Sequence, residues 1–164
     1  MSKAKPIPDG YHTITPHLIC RDAARTMKFY EQAFGAETIH CMTMPGGGIM
    51  HAAMRIGDSQ FMIAEENPAW DSKSPLALGA TPVPIHLYVS NVDASFQRAV
   101  QAGATAKMPP TDMFWGDRYA QVVDPSGHIW SIATHVKDMT PAEIEQAAMA
   151  MFASGNCGSD KMKS

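Results

Sequence analysis

Phe34-Gly35-Ala36-Glu37-Thr38 is answered 68 residues later by Ala102-Gly103-Ala104-Thr105. The stretches that lead into these two correspond as well, Pro16-His17-Leu18 with Ile85-His86-Leu87, at an offset of 69. Self-similarity at a fixed spacing outranks local detail when a fold is chosen. Working outward from Gly35, the residues Ala23, Met27, Tyr30, Ala33 and Phe34 recur at helical spacing behind Asp22, an N-cap residue, and Gly35 stops the helix. In the second copy Asp93 takes the cap role, Phe96, Ala99 and Val100 supply the apolar stripe, and Gly103 is the stop. Alternation marks a strand before each helix, over 13–20 and 84–90. Three strands follow each helix, over 37–44, 49–56 and 59–65, then over 104–108, 119–123 and 128–134. Gly57-Asp58 closes the first hairpin as a two-residue turn. Asp124-Pro125-Ser126-Gly127 reads as a four-residue turn with Pro at its second position. The order strand–helix–strand–strand–strand therefore occurs twice. It predicts an α+β fold in which two βαβββ repeats form a curved mixed sheet around a concave pocket, with the helices outside.

The rest of the chain arranges itself around this unit. Residues 1–11 read as an N-terminal arm and 12–136 as one domain. Within it, 12–66 is the first repeat, 67–82 a Pro-, Ser- and Gly-rich linker or lid, and 83–136 the second repeat. Thr140-Pro141-Ala142-Glu143 is a capping box with Pro at the first helical position. It opens a helix within 137–153 whose Ile144, Ala147, Ala148 and Met151 form an apolar stripe, suited to docking on the domain or on a partner chain. The small, polar residues 154–164 predict a disordered tail.

Composition limits the function classes. Thirteen basic against sixteen acidic residues give a net charge of -3, so there is no basic field for nucleic acid. No apolar run approaches the ~20 residues that span a bilayer, and the polar N-terminus is not expected to be a secretory signal. The three cysteines, Cys20, Cys41 and Cys157, are odd in number and form no C-x-x-C pair. That argues against a disulfide framework or a zinc–thiolate site and for the cytoplasm.

Four stretches go beyond fold class: Arg21-Asp22 leading into Lys28-Phe29-Tyr30, Phe34-Gly35-Ala36, Trp115-Gly116-Asp117-Arg118, and Asp124-Pro125-Ser126-Gly127-His128-Ile129-Trp130. Together they resemble the vicinal oxygen chelate superfamily, which includes glyoxalase I, bleomycin-resistance proteins, fosfomycin-resistance enzymes and extradiol dioxygenases. The resemblance covers residues 12–136. The Trp-Gly-Asp-Arg run narrows it to the bacterial glyoxalase/bleomycin-resistance-like group. It implies the glyoxalase/bleomycin-resistance fold, a homodimer, and a divalent metal (Zn, Ni, Mn or Fe) that chelates two neighbouring substrate oxygens and acts as a Lewis acid. Counted from the motifs, the family's metal-ligand positions fall on Thr15, Met62, Pro84 and Ser131. Thr, Met, Pro and Ser make no hard O/N cage, so no metal cofactor is expected. A shift of two residues in the count replaces Thr15 by His17 and Pro84 by His86.

Strand parity outlines a second constellation. His17, His86 and Tyr88 follow Thr15 and Pro84 by even steps. The two-residue turn pairs Ala53 with Met62 and His51 with Ala64, so His51, Gln60 and Met62 share the pocket face. A four-residue second turn sets Ala120 and Arg118 opposite Ser131 and Ala133. The candidate ligand-binding residues are thus His17, Gln60, Met62, Tyr88, Phe114, Trp115, Arg118 and Ser131, with His51 and His86 as candidate general bases. Each has a structural alternative: the histidines bond one another or a buried water, Arg118 pairs with Asp117 or another local carboxylate, and the aromatic residues pack at a subunit contact. Three functions fit these residues. One is a small-molecule-binding protein of the glyoxalase/bleomycin-resistance type that works without the usual metal. Another is a metal-dependent lyase or isomerase of glyoxalase type. The third is a metal-free enzyme with His51 or His86 as general base and Arg118 holding an oxyanion.

Overall fold

The computed structural model describes residues 4–153. In chain order the elements are β1 (His17–Cys20), α1 (Ala23–Phe34), β2 (Glu37–Thr43), β3 (Ile49–Ile56), β4 (Ser59–Glu65), a 3-10 turn (Pro68–Trp70), α2 (Pro75–Leu78), β5 (Ile85–Tyr88), α3 (Val92–Gln101), β6 (Thr105–Asp112), β7 (Asp117–Val123), β8 (Ile129–His135) and α4 (Pro141–Ala153). The hydrogen-bonded sheets are two, of four strands each, in the orders β1-β4-β3-β2 and β5-β8-β7-β6. In each, the first strand runs parallel to the last and the remaining pairs are antiparallel. The two βαβββ repeats are therefore the same motif twice. Residues 154–164, expected to be a disordered tail, lie outside the described residues.

Local chemistry fixes the helix ends. The Asp22 carboxylate accepts from the Arg25 amide, and the Glu65 carboxylate at the end of β4 accepts from the amides of Asp22 and Ala23. The first turn of α1 is thus tied to the strand that follows β1 in the sheet. Gly35 ends α1 in the left-handed region at φ 66°, where a side chain is strained. In the second repeat the cap is Asn91, whose side chain accepts from the Ala94 amide, and the expected cap, Asp93, lies in the first turn.

Two strands differ from expectation. The chain over 13–16 is not strand, so β1 begins at His17. Strand β6 runs on through Pro109 and Pro110 to Asp112 instead of ending before a loop. It is an edge strand with register shifts around Met108, a place where proline is tolerated because one row of amides has no partner.

The helix-facing sides of both sheets and helices α1 and α3 share one hydrophobic core. It contains Leu18, Met54, Phe61 and Ile63 from the first sheet, Tyr30 and Phe34 from α1, Val92 and Ala99 from α3, and Val122, Trp130 and Ile132 from the second sheet. At its centre the Trp130 ring lies 4.6 Å from Phe34 and 5.1 Å from Tyr30. Helices α1 and α3 pack on each other, and Arg98 Nε donates to the Ala33 carbonyl at 2.6 Å. Thr140 and Glu143 form the expected capping box of α4, but no described residue of that helix is buried.

Candidate functional site

The core takes one face of each sheet, and alternation leaves the other face pointing away from the helices. On the first sheet that outer face carries His17, Met62, Ala64 and His51. His17 sits opposite Met62, and the pairing of Ala53 with Met62 is the one the two-residue turn dictates. The His17 and His51 rings meet edge-on at 5.8 Å. Burial, and secondarily the neighbouring His51, lowers the His17 pKa below the ordinary imidazole value. A cavity of about 320 Å³ lies at this end of the sheet, lined by His17, Ala64, Met44, Met50 and Glu65 together with Trp70 of the linker. The linker is held there by Glu66, which accepts from the Ser74 hydroxyl at 2.6 Å, the Ser74 amide, and Arg21 Nε at 2.7 Å. These bonds, the Ser74 hydroxyl first, pull the Glu66 pKa down to about 2.

On the second sheet the closing loop spans residues 124–128, five residues, because the Asp124 amide donates to the His128 carbonyl and Val123 pairs with Ile129. This corrects the four-residue turn, and the extra residue reverses the parity of β7. Ser131 faces Gln121 and Ala133 faces Tyr119, while Ala120 lies fully buried in the core. Arg118 points to the helix side, where its Nε and Nη2 hold both carboxylate oxygens of Asp93 and its Nη1 holds Asp112. Its expected role as an anchor for an anionic ligand therefore gives way to the ion-pair alternative, with Asp93 and Asp112 in place of Asp117.

The outer face of the second sheet is a row of rings. His86 lies 4.6 Å from Tyr88 and 6.1 Å from Tyr119, Trp115 lies 5.9 Å from Tyr119, and Phe114 abuts Trp115 at 5.0 Å. Ser131 and Tyr119 share a hydrogen bond of 2.7 Å, and Gln121 Nε2 donates to both hydroxyls. Beneath the row sits Asp117, 4% exposed. Its Oδ2 accepts from the Tyr88 hydroxyl and from Trp115 Nε1, each at 3.1 Å, and its Oδ1 meets His135 Nδ1 at 2.8 Å. Burial pushes the Asp117 pKa up, but His135, Tyr88 and Trp115 outweigh it and hold the carboxyl below the usual range. His135 is pinned from its other side by Asp138, and the two carboxylates, Asp117 first, raise its pKa.

Between β1 and β5 opens a largely apolar cavity of about 500 Å³ lined by Leu18, Phe61, Ile85, Leu87 and Trp130, with His86 and Tyr88 at its margin. Gln60 lines it as well, with its Oε1 buried and unpaired. Gly10 of the N-terminal arm covers that amide so closely that a Cβ there would stand 2.1 Å from Gln60 Nε2.

The sequence places His17, His51, Gln60, Met62, His86, Tyr88, Arg118 and Ser131 around one pocket; the structure sets His17, His51 and Met62 on the outer face of the first sheet and His86, Tyr88, Ser131 and the Phe114-Trp115 pair with the second. Sequence reasoning missed Asp117, Tyr119, Gln121 and His135. The signal for Tyr119 and Gln121 was the second turn: Asp124 accepts from the amides of both Ser126 and His128, which lengthens the loop by one residue.

Comparison with known proteins accords with this architecture. The family model for the Glyoxalase/Bleomycin resistance protein/Dioxygenase superfamily matches residues 11–132, and the chain belongs to that superfamily. An uncharacterized protein of Mycobacterium bovis is 43% identical over 145 residues, 87% of this chain and 95% of that one. An uncharacterized protein of Mycobacterium tuberculosis is also 43% identical over 145 residues, covering 87% of this chain and 85% of its own length. Among solved structures, TioX from Micromonospora sp. ML1 is similar at a TM-score of 0.62 and 27% identity over 76% of this chain and 99% of that one. The fosfomycin resistance protein FosX from Mesorhizobium loti shares the fold, at a TM-score of 0.57 and 18% identity over 80% of this chain and 95% of its own.

Members of this superfamily often hold a divalent metal, so the donor set is the relevant test. Strand register favours the two-residue shift in the count from the motifs. Thr15 and Pro84 precede their strands, and the residues opposite Met62 and Ser131 are His17 and His86. The four positions therefore offer two imidazoles, a thioether and a hydroxyl already bonded to Tyr119 and Gln121. Two imidazoles, one from each repeat, with a thioether and an engaged hydroxyl supply too few donors to hold Zn, Ni, Mn or Fe as the family does.

Proposed function

We propose that this protein binds a small organic molecule, holding a ring or similarly compact group against the outer face of the second repeat, and that it does so without the family's divalent metal. The observation that carries this reading is the row His86, Tyr88, Tyr119 and Trp115 on a sheet face that the core leaves open, with Tyr88 63% exposed. An apolar or aromatic wall with a few fixed polar groups is the usual make-up of a small-molecule site. The hydroxyl–amide set of Tyr119, Ser131 and Gln121 supplies those polar groups. The reading takes the protein to be a cytoplasmic homodimer. It is supported by the odd cysteine count, by a family in which dimers are common, and by the lack of any described helix long and apolar enough to cross a membrane.

A thermal-shift screen of small aromatic and compact organic compounds, charged and neutral, run with and without EDTA, tests it. Hits should raise the melting temperature equally in both buffers and lose their effect in Tyr88→Ala and Trp115→Ala. Hits that survive both substitutions would put the ligand elsewhere.

One observation favours a second reading, a metal-free enzyme. His17 is held toward its neutral form beside His51, and a neutral imidazole is the form that accepts a proton. In that reading His17, which lines the first-repeat cavity, serves as general base with His51 against its ring. Turnover that disappears in His17→Ala while ligand binding persists would establish it over simple binding.

A further inference from the structure

We infer that the ligand the second-repeat face takes is an organic cation, an alkylated ammonium group seated against the rings of Tyr88, Trp115 and Tyr119 with the Asp117 carboxylate behind them. This rests on the reading of that face as a ligand site and names the chemistry it selects.

Three observations converge on it. First, the polar edges of the rings are already used. The Tyr88 hydroxyl and Trp115 Nε1 both donate to Asp117 Oδ2, and the Tyr119 hydroxyl is bonded to Ser131 and Gln121. Tyr88 is 63% exposed with its hydroxyl engaged, so what it offers a ligand is its ring, and an aromatic face is the negative end of its quadrupole. A phenol and an indole that donate to a carboxylate carry more electron density in the ring, which strengthens that preference.

Second, the rings do not form one flat stack. His86 and Tyr119 are near-parallel at 29°, but Tyr88 and Trp115, on either side of them, are turned away, Trp115 meeting Tyr119 at 76° and Tyr88 meeting His86 at 59°. Rings at steep angles suit a compact cation with several C–H groups around one charge, whereas a stack of parallel rings suits a flat neutral molecule.

Third, the field behind the rings is negative. The charged groups beside the rings are the buried Asp117 and the exposed Asp138, with His135 between them; the Arg118, Asp93 and Asp112 set lies on the helix side. The set beside the rings keeps a net negative charge whichever way His135 titrates. It offers an anion no free donor, and it favours a cation over a neutral molecule of the same shape.

The test uses the full chain and choline, with 3,3-dimethylbutan-1-ol as its uncharged isostere and quinoline as a flat neutral probe. The readout is the Trp115 side-chain N–H resonance in a nitrogen–proton NMR spectrum. Choline should move it saturably, and the isostere should bind at least ~10-fold more weakly, the scale of a cation–π contact. Tyr88→Phe keeps the ring and should retain choline binding within a few-fold. Tyr88→Leu, at an exposed position, should abolish it, and Asp117→Asn should weaken it. Equal affinity for choline and its isostere would overturn the inference, as would undiminished choline binding in Tyr88→Leu. If quinoline moves the resonance and choline does not, the cation fails while the ring face stands as a site. If neither moves it, both readings fall.

Discussion

The phenol of Tyr30, in the helix of the first repeat, donates to the carboxylate of Asp124, in the closing turn of the second. Asp124 also accepts from Trp130 Nε1 and from the amides of Ser126 and His128, and beside it the Thr26 and Ser126 hydroxyls share a 2.7 Å bond between the repeats. One buried carboxylate thus shapes the turn that sets the parity of β7 and joins the two repeats. Tyr30→Phe removes one donor and should cost about 2 kcal/mol, the range for a hydrogen bond to a charged group. Asp124→Ala strands several buried donors at once and should cost on the order of 3–5 kcal/mol. Guanidinium unfolding midpoints measure both. A Tyr30→Phe midpoint equal to wild type would mean that the latch is not a source of stability.

Acid should release the same latch. Burial pushes the Asp124 pKa up, but its bonds with His128, Tyr30 and Trp130 hold it below the ordinary carboxylate value. Asp117 is held down as well. A depressed folded pKa contributes stability that is present above the unfolded value, about 4 for a carboxylate, and is lost as pH falls through the folded one. Stability should therefore be flat with respect to these groups near neutrality and decline below about pH 4. Denaturant midpoints taken at descending pH follow the decline, and it should be shallower in Asp117→Asn.

How far the site can be read from sequence depends on residue spacing at one turn. The repeat, both glycine helix stops and the two-residue hairpin at Gly57-Asp58 are local signals with a fixed geometry, and the structure follows them. The turn after Val123 is different. Its sequence suits a four-residue turn with Pro at the second position, but Asp124 reaches two amides and adds a residue. That single residue moves Tyr119 and Gln121 to the outer face and sends Arg118 to α3. Asp117 was invisible for another reason. Its partners, Tyr88, Trp115 and His135, come from three segments, and nothing in the sequence around Asp117 marks it as buried.

The Asp117–His135 pair has its own signature. With its pKa raised in the folded protein, His135 contributes stability that is fully present below its ordinary value of about 6.5 and is lost as pH rises through the raised one. Its imidazole resonances should titrate above pH ~6.5, and Asp117→Asn should bring the midpoint back down. A wild-type midpoint at or below the ordinary value would remove His135 from the network.

Glu66 ties the linker to the first sheet through Ser74, which is fully buried, and through Arg21. Glu66→Gln keeps the size of the side chain but replaces an acceptor-only group, so it cannot satisfy the Ser74 hydroxyl, the Ser74 amide and Arg21 together. The expected loss is about 1–2 kcal/mol. The more telling readout is local: limited proteolysis should cut within 67–82 faster in the variant. Unchanged cleavage would show that the apolar contacts of α2 hold the linker without the carboxylate.

Metal content decides between the binding reading and the superfamily's metal chemistry. Met62 and Ser131 leave His17 and His86 as two lone imidazoles, too few donors for a stable divalent site. Protein purified without chelator, offered Zn, Ni, Mn and Fe in turn and then dialysed, should retain far less than one metal per chain by mass spectrometry. Its melting temperature should not respond to EDTA. Replacing His17 or His86 by Ala should leave both results unchanged. A stoichiometric metal that survives dialysis and is lost in His17→Ala or His86→Ala would mean that imidazoles and water complete a shell without carboxylates. The lyase reading would then take precedence, and hemithioacetals would be the first substrates to assay.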